Sequence, residues 1–68
     1  MANEFVNDIA NLEIPFGREM LIQDVKHESG LQMMRIRLKE GSRFTIFDID
    51  NDTVNKLKEI LNDWSNND

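Results

Sequence analysis

Cysteine is absent from the 68 residues. Disulfide staples, thiolate zinc sites and cysteine nucleophiles are therefore excluded. The same absence fits a reducing compartment, and a cytoplasmic protein is expected. Long apolar runs are absent as well: nothing approaches the ~20 residues that a membrane-spanning helix needs. The opening MANEFVNDIA lacks the basic start and apolar core of a signal peptide, and no membrane association is expected. Positive charge is scarce, with 8 Lys and Arg against 13 Asp and Glu and a net charge of −5. That balance disfavours non-specific attraction to nucleic acid or anionic lipid. The chain is also short of length. A single domain of this size sits near the lower limit at which an apolar core suffices, and association with a protein partner or a second copy would relieve the shortfall.

What is present is patterning, strongest from Met20 to Asp50, which reads as three strands joined by the turns Glu28-Ser29-Gly30 and Glu40-Gly41-Ser42. Glycine in each turn supplies the positive φ that short hairpin loops require. Two three-residue loops set His27 against Leu31 and Lys39 against Arg43. One face then collects Met20, Ile22, Met34, Ile36, Leu38, Phe44 and Ile46, with Ile22, Ile36 and Ile46 side by side. The opposite face is mixed. Val25, Leu31, Met33, Phe47 and Ile49 form its apolar end, a patch expected to serve self-association or to be covered by the N-terminal segment. Arg35, Arg37, Lys39 and Arg43 form the one basic cluster, with Phe47 beside Arg35, and are the candidates for holding an anion or a nucleic-acid backbone.

Toward the N-terminus, Phe5, Val6, Ile9 and Leu12 have helical spacing. Residues 1–11 are expected to be an arm or short helix, followed by a short edge segment from Leu12 to Phe16 within a sheet region of 12–50. After Asp50 the period lengthens: Val54, Leu57, Ile60, Leu61 and Trp64 make an amphipathic helix over 51–64, capped by Asp50, Asn51 and Asp52. It should cover the Ile22/Ile36/Ile46 face and bury Trp64. Residues 65–68 should fray. The fold class is α+β: an antiparallel meander of three to four strands with a C-terminal helix packed on one face.

The runs IPFGRE at 14–19, LIQDVKHESG at 21–30, KEG at 39–41 and RFTIFDID at 43–50 resemble those of a family of small bacterial proteins of unknown function. The resemblance implies one coherent domain and carries over no site residue. The strand-strand-strand-helix order is similar to that of the nucleic-acid-binding PUR and whirly repeats, a likeness of topology only.

Sharper chemistry finds little footing. Asp48, Asp50, Asp52 and Glu59 match an EF-hand spacing, but Thr53 stands where the sharp turn needs glycine and no helix precedes the loop. FDIDNDTV resembles the nucleophile loop of haloacid-dehalogenase-type phosphatases, whose doubly wound sheet this chain is too short to build. His27 and Ser29 lie two apart on a turn with no oxyanion hole in prospect. No catalytic residue, metal ligand or cofactor is expected. The function expected is a non-catalytic interaction module; the alternative is single-stranded nucleic-acid or anion binding through Arg35 and Arg37.

Overall fold

A computed structural model describes residues 3–66. Four strands, β1 (Glu4–Ile14), β2 (Arg18–His27), β3 (Gln32–Glu40) and β4 (Arg43–Ile49), form one antiparallel meander in chain order, and the helix α1 (Asn51–Ser65) follows. This is the α+β architecture that the patterning predicts.

The β2–β3 hairpin has the predicted three-residue loop. The His27 amide donates to the Leu31 carbonyl at 2.8 Å, and the Gly30 amide donates to the His27 carbonyl at 2.9 Å. Ile22 accordingly faces Ile36. The β3–β4 hairpin differs from expectation by one residue. Glu40 pairs with Arg43 across the two-residue loop Gly41-Ser42, with Gly41 at φ 60° in the first central position, the place where a II′ turn wants glycine. Every β4 side chain consequently changes face. Phe47, not Ile46, lies beside Ile36, and Ile49 beside Met34. Charge explains the preference: the observed register sets Glu40 against Arg43 and Arg35 against Asp48, whereas the expected one opposes Lys39 to Arg43.

The N-terminal segment is neither arm nor helix but the longest strand. Its register with β2 steps between Asp8 and Ala10, so Ile9 is the extra residue of a β-bulge. Phe5 and Asn7 before the bulge share a face with Ala10, Leu12 and Ile14 after it. That change of phase imitates helical spacing. Met1 and Ala2 of the expected arm, and Asn67 and Asp68 of the expected frayed tail, lie outside the described residues.

Asp50 caps α1 by accepting from the Thr53 amide at 2.9 Å. The helix meets the sheet at β3, and its apolar stripe is progressively uncovered along its length. Val54 is half-buried, Leu57 is 37% exposed, Leu61 57% and Trp64 79%. Trp64, expected to be buried, stands in water. The connection is one reason: Asp50 alone separates β4 from α1, whereas strand-to-helix connections commonly take about two to six residues. Among the described residues the buried apolar core consists of Val25 and Ile36. The chain reaches 47 Å in its longest dimension with a radius of gyration of 13.9 Å, against about 11 Å for a compact domain of this length.

Candidate interaction surface

The pleat gives the sheet two unlike faces. On the first, which we call the isoleucine face, one row runs Ala10, Ile22, Ile36, Phe47 and the next Leu12, Met20, Leu38, Thr45. Polar contacts are confined to its ends: Gln32 donates to Asp24 at 2.8 Å, and Arg18 approaches Glu40 at 3.9 Å. Ile36 is buried at the centre, but Phe47 and Leu12 remain exposed.

The opposite, arginine face is held together by polar side chains. Gln23 donates to Asp8 at 2.8 Å. Arg35 grips Asp48 with two hydrogen bonds, Nε to Oδ1 at 2.8 Å and Nη2 to Oδ2 at 3.1 Å, and its Nη1 donates to Glu4 at 3.2 Å. The Arg35 bonds hold the Asp48 carboxyl below the usual carboxylate range and raise Arg35 above its ordinary value. Arg35 on β3 and Glu4 on β1 flank β2, so their bridge crosses β2 near Val25, which is fully buried. Further along, two cations lie over the Phe44 ring: the Arg37 guanidinium is 5.1 Å from its centre and the Lys39 ammonium 6.0 Å.

A model of a family of unknown function, DUF6967, matches residues 3–67. The chain belongs to the DUF6967 family. No curated protein and no solved structure matches it. All four strands and the helix of the DUF6967 chain fall inside the matched region, and among the described residues no helix is long and apolar enough to cross a membrane.

The residues singled out from sequence are redistributed by the register of β4. Arg35, Arg37 and Lys39 share the arginine face, whereas Arg43 and Phe47 lie on the isoleucine face. The ring beside the basic residues is therefore Phe44. Val25 and Met33 also lie on the arginine face, with Leu31 at its end opposite His27, while Phe47 and Ile49 point the other way. Those five residues are not one patch. Nor does the N-terminal segment cover them, because β1 pairs edge-on with β2 in the plane of the sheet. The signal available in the sequence was the Arg35/Asp48 and Glu40/Arg43 complementarity, which selects the observed register.

The acidic run disperses in the DUF6967 fold. Asp48 is engaged by Arg35, Asp50 caps α1, and Asp52 and Glu59 sit on the helix. Thr53 donating to Asp50 holds that carboxyl low. Among the described residues no three His, Cys, Asp or Glu side chains gather as a metal site.

Proposed function

We propose that this DUF6967 chain is a small non-catalytic interaction module that works through the isoleucine face. The observation that carries the reading is an open apolar surface on a fold too thin to stand alone. The chain exposes 5799 Å², whereas a compact monomer of 8.0 kDa exposes about 4,450 Å². The difference, about 1,300 Å², is surface beyond that of a compact monomer and is large enough to supply an interface. The polar side chains support the same reading, since Arg35, Asp48, Gln23 and Asp50 are each engaged in holding the fold. Phe47→Asp tests it by light scattering. The parent is expected to be larger than one chain, or to become so with its partner, and the variant to lose that size. A monomeric parent whose stability Phe47→Asp leaves unchanged would overturn the reading.

A second reading rests on Phe44. Its half-exposed ring, near Arg37 and Lys39, offers a stacking platform with two cations at hand, the chemistry that holds single-stranded nucleic acid. The neutralisation of Arg35 by Asp48 and Glu4 and the net charge of −5 weigh against it. Titration with a single-stranded oligonucleotide across salt concentrations tests it. Binding that weakens as salt rises and disappears in Phe44→Ala supports this reading, and no binding at low salt sinks it.

A further inference from the structure

We infer that a second copy of this chain covers the isoleucine face, and that it does so with its own α1, laid across the sheet in a reciprocal pair. This rests on the interaction reading above and names the partner that the reading leaves open.

Four observations converge on it. The helix and the sheet each carry apolar side chains that the single chain leaves exposed: Leu57, Leu61 and Trp64 on one, and Leu12 and Phe47, either side of the buried Ile36, on the other. Helix-on-sheet packing of this kind is what a two-layer domain needs. The dimensions match. A helix of 15 residues is about 22 Å long, and four strands about 4.8 Å apart make a sheet roughly 14 Å across between its edge axes, so one helix traverses the face. The one-residue connection at Asp50 works against the return of α1 over its own sheet, and such short hinges are where elements are exchanged between copies. Finally, the excess surface of about 1,300 Å² per chain exceeds the ~800 Å² that each partner buries in a standard interface. Because both complementary surfaces lie on one chain, a two-fold pair satisfies both at once.

Trp64 is the sole tryptophan, so its fluorescence reports on the proposed contact directly. The experiment combines sedimentation with acrylamide quenching of Trp64 over a dilution series of the full chain. The expected result is a mass twice the 8.0 kDa of the chain, with Trp64 shielded, and with mass and shielding lost together on dilution. Leu61→Asp places a carboxylate where the lone chain already meets water, and it should weaken association at least tenfold while circular dichroism stays unchanged. A double mass with Trp64 freely quenched would overturn the placement of the helix and leave the interaction reading standing. A single-chain mass with Trp64 shielded would show the helix folding back on its own sheet and would overturn the inference. A single-chain mass with Trp64 exposed would overturn it too, and Phe47→Asp then decides the interaction reading separately.

Discussion

The two faces of one sheet are built on opposite principles. On the arginine face the central polar side chains have partners within the chain: Gln23 with Asp8, Arg35 with Asp48 and Glu4, Arg37 and Lys39 with the Phe44 ring. Its apolar residues are interleaved with charge, and its most buried one, Val25, lies where a side-chain bridge crosses the sheet. The isoleucine face has two continuous rows with Thr45 as their single polar side chain, and polar contacts only at its ends. An antiparallel sheet tolerates one wet face, and the difference between the faces is what the proposal of a partner on the isoleucine face rests on.

The sharpest way to break this distinction is to place the same carboxylate on each side. Ile36→Asp puts a charge at the most buried point of the isoleucine face, where desolvation without a partner costs more than a small domain can lose. The variant is expected to be unfolded by circular dichroism. Ile46→Asp puts the carboxylate on the arginine face opposite Arg37, where it is exposed and oppositely paired, and should change stability by about 0.5 kcal/mol or less. Equal damage from both would mean that the faces are not distinct. The next largest effect belongs to the helix. Leu57→Ala should cost about 2–5 kcal/mol where the chains are associated and the side chain is enclosed, but under about 1 kcal/mol in dilute single chains. Denaturation at two protein concentrations separates the two values, and a cost that ignores concentration would detach the helix from the association.

The arginine face should instead show itself in acid. Asp48 is held below its ordinary value by the hydrogen bonds from Arg35, so its folded form binds protons less readily than its unfolded form. The stability it adds is present above the unfolded carboxylate value of about 3.9 and is lost as pH falls through the lower folded value. Asp48→Asn should therefore cost about 1 kcal/mol at neutral pH and flatten part of the acid unfolding curve below about pH 4. Asp50, held low by Thr53, contributes loss in the same direction. An Asp48→Asn curve parallel to the parent down to pH 2 would show that the bridge carries no stability.

Much of the fold is legible in the residues, and the failures have identifiable causes. Period-two alternation and turn glycines predict β2, β3, β4 and their antiparallel order, and the longer period and acidic cap predict α1. The register of β4 is harder to read because RFTIFDI carries apolar residues in both phases, Phe44 and Ile46 in one, Phe47 and Ile49 in the other. Hydrophobicity alone cannot choose between them; opposite charges across strands can. β1 is concealed by its bulge at Ile9, which breaks the alternation by one residue. The exposure of Trp64 is illegible for another reason: an apolar stripe marks one side of a helix, but not how far its own sheet reaches along it. The candidate basic site changes its ring from Phe47 to Phe44 through the same one-residue step in β4.

A final, smaller effect lies away from both faces and serves as their control. Phe16 occupies the loop between β1 and β2 at φ 71°, the left-handed region that a bulky side chain enters only at a cost, and it is 93% exposed. The residue bears this strain with little burial to offset it; the Arg18 guanidinium lies 5.8 Å from the ring centre. Asparagine enters the same region more readily. Phe16→Asn should therefore raise stability by about 0.5 kcal/mol, seen as a melting temperature higher by about 2–4 °C. Because the loop sits beyond the sheet's end, association measured by light scattering should be unchanged. Loss of association in Phe16→Asn would place the exposed ring in the interface and extend the isoleucine face beyond the end of the sheet.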